Sequence, residues 1–168
     1  MSHRRFTSVV YSVLVLTVCA AGCAPAPADD PRAQLKAWNV KYSEKSFRSR
    51  AQMGDLKSVQ LMLEAGMDPN VAGAHGETAL RYAASAGKTD VVNALLEAGA
   101  DVNVEDKDGF TPLRYAVYNG HRDIVEALLA KGADVRGGSG DGWTPEAVAM
   151  GRGYPEIVRL LKDAQPQG

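Results

Sequence analysis

Apolar residues along this chain recur on two periods at once. On the short period, Val59 and Met62, Val92 and Leu95, Val125 and Leu128, and Val158 and Leu161 are paired as on one face of an amphipathic helix. On the long period, the step from Val59 to Val92 repeats without change to Val125 and again to Val158. Each of the last three pairs is preceded by a small residue, Ala83, Ala116 or Ala149, that would let neighbouring helices approach closely. Glycines keep the same long beat at Gly54, Gly87, Gly120 and Gly153, at Gly66, Gly99 and Gly132, and at Gly76, Gly109 and Gly142. Thr78, Thr111 and Thr144 read as caps of a first helix, and Pro112 and Pro145 suit its first turn. The first glycine set ends that helix and the second set ends the next one. The pattern therefore predicts one helix–turn–helix unit built several times. One helix pair cannot bury its apolar face alone, so the copies must stack.

The copies align as sequence. The second reads GETALRYAASAGKTDVVNALLEAGADVN from Gly76, and the third GFTPLRYAVYNGHRDIVEALLAKGADVR from Gly109. The fourth reads GWTPEAVAMGRGYPEIVRLLKDA from Gly142, and a weaker first copy ends in FRSRAQMGDLKSVQLMLEAGMDPN from Phe47. This set resembles the ankyrin repeat, whose signature joins T-P-L-H-x-A, a mid-repeat Gly and a terminal L-L-x-x-G-A-D-x-N. The resemblance spans about residues 44 to 164. It implies an all-α repeat solenoid of about four stacked helix–turn–helix repeats with connecting β-turns, at 47–72, 73–105, 106–138 and 139–164. Residues 32–46 are expected to form an N-terminal capping helix opened by Asp30-Pro31, with Leu35, Trp38 and Tyr42 as its apolar cover. Residues 165–168 are expected to be a tail. In the last copy Glu146 replaces Leu80 and Leu113, Lys162 replaces Leu96 and Leu129, and Arg136 replaces Asn103, which puts polarity on the final outer face. The run from Arg136 to Gly140 is expected to make the last turn loose and mobile.

Residues 1–22 read as a secretory signal: Arg4 and Arg5, a short apolar run from Val9 to Val18, then Ala20, Ala21 and Gly22. The apolar run is too short to span a bilayer. Arg4-Arg5-Phe6 faintly resembles a twin-arginine signal. Ala20-Ala21-Gly22-Cys23 resembles the bacterial lipobox, which implies lipidation at Cys23, although Ala20 stands where Leu is usual. The alternative is ordinary cleavage at a site such as Ala24-Pro25-Ala26. Residues 23–31 make a Pro/Ala spacer about 25 Å long at about 3.1 Å per residue. The non-acidic Ala24 resembles the outer-membrane class, so the expected location is the periplasmic side of the envelope. The mature chain would keep Cys23 alone and could form no internal disulfide.

Composition narrows the chemistry further. The chain is 45% hydrophobic and 23% charged with a formal charge of -1, which offers no nucleic-acid groove. Gly87-Lys88-Thr89 imitates the end of a phosphate loop, but Tyr82 holds the place of the loop's first Gly. Gly138, Gly140 and Gly142 lack the strand and spacing of a dinucleotide fingerprint. His75 and His121 are a poor metal set. No nucleophile–base pair is evident. No catalytic, cofactor or metal residue is expected.

The resemblance places His121 at a framework position and Arg81 and Arg114 where the family's signature His ties neighbouring repeats together. These arginines are expected to bond backbone carbonyls, or else to present charge on the inner face; Tyr82 and Tyr115 are expected in the core. The family's variable positions map to Gln52 and Met53 in the first copy, and to Ala74, His75, Glu77 and Ser85 in the second. They map to Lys107, Asp108, Phe110, Tyr118 and Asn119 in the third, and to Asp141, Trp143 and Arg152 in the fourth. Phe110, Tyr118 and Trp143 are candidate anchors, unless Phe110 and Trp143 pack between adjacent turns. The implied function is a non-catalytic module, monomeric, that binds another protein on its concave face as scaffold, protecting adaptor or toxin neutraliser. A structural envelope lipoprotein is the alternative, and an enzyme would require a closed pocket with convergent titratable groups.

Overall fold

The computed structural model describes residues 30–138 and 142–165. Residues 1–22, expected as a signal, Cys23, most of the Pro/Ala stretch and Asp141 lie outside them. In chain order the helices are α1 (Pro31–Ala37), α2 (Glu44–Met53), α3 (Leu56–Glu64), α4 (Ala79–Ser85), α5 (Thr89–Glu97), α6 (Pro112–Tyr118), α7 (Arg122–Ala130), α8 (Pro145–Arg152) and α9 (Pro155–Asp163). They form two parallel rows. Helices α2, α4, α6 and α8 pack side by side as an inner row, and α1, α3, α5, α7 and α9 as an outer row. The result is an all-α repeat solenoid, with no strand among the described residues. No described helix is long and apolar enough to cross a membrane.

The core lies between the rows. Val59, Val92, Val125, Met62, Leu95, Leu128 and Leu161 are fully buried there. Ala83, Ala116 and Ala149 are fully buried along the inner row, where a larger side chain would force the helices apart. Thr78, Thr111 and Thr144 cap α4, α6 and α8, each hydroxyl accepting a backbone N–H one turn on.

The outer helices α5, α7 and α9 lack such caps. Their cap residues are Lys88, His121 and Tyr154, and these side chains do something else. Each lies over the glycine that ends the inner helix of the preceding copy: Lys88 over Gly54, His121 over Gly87 and Tyr154 over Gly120. The lookalike phosphate loop is thus a helix stop whose lysine is packed against its neighbour.

A second tie runs along the turns that follow the outer helices. Asn70 Nδ2 donates to Gly99 O, and Asn70 Oδ1 accepts from Asp101 N–H. Asn103 repeats both bonds one copy later, to Gly132 O and from Asp134 N–H. Arg136, in place of asparagine, holds the next position in the series.

The N-terminal cap differs from expectation. The capping helix ends at Ala37, and Glu44 to Ser46 already belong to α2. Helix α1 is an outer helix without an inner partner. It packs on α3 and closes with Val40 N–H donating to Leu35 O, the bond that Met67 makes to Met62, Ala100 to Leu95 and Ala133 to Leu128. Asn39, at φ 56°, takes the left-handed place of Gly66 and its equivalents. The step from Leu35 to Met62 is shorter than the step from Met62 to Leu95, because no turn tip separates α1 from α2. Leu35 is buried, and Tyr42 Oη donates to Ala65 O. Trp38 is exposed, its ring facing the Lys57 ammonium at 4.7 Å.

Within the run expected to be loose after Arg136, Gly137 is half-buried. Gly138 is buried, and a Cβ there would meet Thr111 Oγ1 at 2.7 Å. Ser139 and Gly140 lie outside the described residues. At the far end, Glu146 accepts from Gln165 and pairs with Lys162 at 3.6 Å. Met150, at the position of the buried Ala51, Ala84 and Val117, is exposed beyond them.

Gly120 and Gly153 share a left-handed φ, 74° and 76°, but only Gly120 is covered. Gly153→Ala should therefore cost about 1–2 kcal/mol from backbone strain alone. Gly120→Ala should cost more, because its Cβ would sit 2.8 Å from Tyr154 Cζ. Urea unfolding of both variants, with and without Tyr154→Ala, measures the difference; equal losses would show that the side chain over the glycine contributes nothing.

Candidate functional site

The inner row presents two lines of side chains to solvent. One runs Gln52, Ser85, Tyr118, Gly151, and the other Met53, Ala86, Asn119, Arg152, each step being one repeat. Among the described residues the exposed large hydrophobic side chains are Trp38, Met53, Tyr118, Trp143 and Met150. All but Trp38 belong to inner helices or to a turn tip. The outer helices α3, α5, α7 and α9 carry none, because their apolar stripe is spent on the core.

The centre of this face is small, with Ser85 and Ala86, and its C-terminal end is aromatic and cationic. The Arg152 guanidinium lies over the Tyr118 ring, 3.6 Å from its centroid. Asn119 Nδ2 donates to Tyr115 O and reaches Ser85 Oγ at 3.4 Å, so part of its polarity is satisfied within the stack. The Trp143 ring is exposed, while its carbonyl accepts from Arg114 Nη1 at 2.8 Å.

The turn tips flank the inner helices. In the third copy Asp106 organises the tip. Its Oδ1 accepts the N–H groups of Asp108 and Phe110 at 3.0 Å, and its Oδ2 accepts Tyr115 Oη at 2.7 Å. Arg81 of the preceding copy donates to Tyr115 Oη at 2.9 Å and forms an ion pair with Asp106 at 3.4 Å. Burial pushes the Tyr115 phenol up, and its bond to Asp106 adds to this; Arg81 opposes both. Tyr115 is therefore a half-buried bridge between copies rather than a purely apolar core residue.

In the second copy the Asp106 position is Gly73, and Glu77 replaces the missing carboxylate. A Cβ at Gly73 would lie 2.6–2.8 Å from the Glu77 carboxyl group. Glu77 Oε2 accepts His75 N–H at 2.7 Å, as Asp106 accepts Asp108 N–H. Hydrogen bonds from its own N–H and that of His75 hold the Glu77 carboxyl below its usual range. Neighbouring tips are joined by Lys107 N–H donating to His75 O.

The sequence-expected contact residues thus separate into groups. Tyr118, Asn119, Arg152 and Ser85 line the inner helices, and the exposed His75, Lys107, Asp108 and Trp143 lie at turn tips. Glu77 is committed to its own turn. Phe110 is half-buried, edge-on to Tyr115 at 6.1 Å, with Arg114 over its ring at 5.1 Å. Asp141 lies outside the described residues.

Arg81 and Arg114 tie adjacent copies, Arg81 through side chains and Arg114 through a backbone carbonyl. Arg48, one repeat before Arg81, begins the same arginine series, and the shared interval is the signal that finds it. Its Nη1 is buried and has no hydrogen-bond partner. His121 is a framework residue, its Nε2 3.2 Å from Ser85 O. Among the described residues no three His, Cys, Asp or Glu side chains converge as metal ligands.

The Glu77 substitution for an aspartate is testable. Glu77→Ala should lower the melting temperature and speed amide exchange at His75, and adding Gly73→Asp should restore both. Because the folded carboxyl titrates below its ordinary 4.5, its contribution is present above that value and is lost as pH falls through the lower folded value. Melting curves from pH 7 to pH 2 should show a smaller acid loss in Glu77→Ala. No rescue by Gly73→Asp would refute the exchange of roles.

Comparison of the chain with curated proteins gave no match. The family described as Ankyrin repeats (3 copies) matches residues 49–139 and 103–167, most of the chain and the stack from within α2 to α9. The match agrees with the two-row stack, the glycine stops and the turn tips, and ankyrin repeats are protein–protein interaction modules. The chain belongs to the ankyrin repeat family.

Proposed function

We propose that this chain is an exported, lipid-anchored module that binds a partner protein on its concave face. The observation that carries the reading is the placement of exposed apolar side chains. Met53, Tyr118 and Trp143 are exposed on the inner helices and a turn tip, and Met150 at the end of the stack, while α3, α5, α7 and α9 expose none. Exposed aromatics beside an arginine are the usual anchors of protein interfaces. The signal-like residues 1–22 and the lipobox-like Cys23 support export and anchoring, with the spacer holding the stack away from an outer membrane.

Two experiments test this. A photo-crosslinking residue at Tyr118 should capture a defined partner in intact envelopes, and one at Asn93 on the outer row should not. Tyr118→Ala with Trp143→Ala should reduce recovery of that partner at least tenfold; capture from Asn93 alone would place the interface elsewhere. Separately, Cys23→Ser should move the protein from the membrane fraction to the soluble fraction. Unchanged fractionation would end the lipid-anchor reading.

A further inference from the structure

The charge of the two rows is not balanced. The four inner helices carry six Lys or Arg residues against two acidic ones, Glu44 and Glu146. The five outer helices carry six against seven. Of the inner acids, Glu146 is occupied by Lys162 and Gln165 at the end of the stack. The positive excess belongs to the inner helices alone; the turn tips that flank them carry Glu77, Glu105, Asp106 and Asp108 against Lys107.

These cations are not equally available. Arg50 is paired with Asp55, Arg81 with Asp106, and Arg114 is buried against Trp143 O. Arg152 is different. Its contact is the Tyr118 ring, and it has no hydrogen bond or ion pair with any described residue. The guanidinium lies close over the ring, and the side chain is exposed. That is the arrangement a carboxylate needs for a two-point contact. Arg48, three copies away on the same helix as Met53, is not open in this way: its Nη1 is buried and its charge acts on Glu77.

We infer that the concave face receives an acidic, extended polypeptide segment, with one of its carboxylates held by Arg152 on the Tyr118 ring. This rests on the concave-face reading above and adds the chemistry of the partner. Met53 and Arg152 are three copies apart. At about 8–10 Å between packed helices, that distance is spanned by about eight extended residues. The small centre, Ser85 and Ala86, leaves room for the segment's backbone, and Met53 offers an apolar contact at the other end. A polypeptide fits better than a nucleic acid. The chain's formal charge is -1 and its outer helices lean acidic, so the positive field is local and cannot follow a phosphate backbone.

The test uses the detergent-solubilised full chain and a displayed library of random dodecapeptides. Selected peptides should be at least twofold richer in Asp and Glu than the input. The affinity of a selected peptide should fall about tenfold in Arg152→Gln, which removes a charge-assisted contact. It should fall severalfold between low and high salt by ordinary screening. Arg152 is exposed, so the variant should melt like wild type, which separates lost contact from lost fold. Selection without acidic enrichment, failure to select any peptide, or unchanged affinity in Arg152→Gln would overturn the inference. So would a single-stranded DNA 12-mer that binds as tightly as the best peptide. If any of these occurs while crosslinking from Tyr118 persists, the partner chemistry alone is wrong. Loss of crosslinking as well would remove the concave-face reading itself.

Discussion

One copy of the unit leaves space and the next copy fills it. Gly54, Gly87 and Gly120 each end an inner helix in a conformation that favours glycine, and each leaves a gap where a side chain would project. Lys88, His121 and Tyr154 close those gaps from the following copy. Chemically the three side chains have little in common. What they share is reach and a flat or aliphatic surface, so contact over a bare backbone is what the position demands. Since each copy is completed only by its neighbour, stability is a nearest-neighbour property, and no helix pair is a domain by itself.

Polar ties reinforce the same junctions. Asn70 and Asn103 bridge the turns behind the outer helices, while Asp106, Tyr115 and Arg81 bridge the tips in front of the inner ones. Where such groups are partly buried, a hydrogen bond is worth roughly 0.5–1.5 kcal/mol and an unmade one costs more. Their arrangement explains why so few polar residues remain free on the inner face. Arg81 and Arg114 complete junctions and Arg50 pairs with Asp55 inside its own copy, whereas Arg152 is exposed and rests on the Tyr118 ring.

Much of this was legible in the residues. A regular beat of glycines, threonines and aliphatic pairs defines helix starts, stops and buried faces, because each signal acts within one turn of backbone. The framework roles of Gly87 and His121 followed from the same beat. Helix α1 was not legible as an outer helix, since it falls short of the beat and its stop is Asn39 rather than glycine. The bonding of Glu77 within its own turn was not legible for a related reason. Its carboxylate fills the space that Gly73 leaves, and that space exists only when the turn closes.

The sequence alone determined the architecture and the number of stacked copies, because both depend on local, repeated signals. It also assigned equivalent positions from copy to copy, since the period carries from one copy to the next. Which of those side chains are free was decided by the tertiary structure. Phe110 against Tyr115, Glu77 beside Gly73 and Arg152 on Tyr118 are pairings between particular side chains. They depend on reach and direction in space, which a repeating pattern of residue types does not encode.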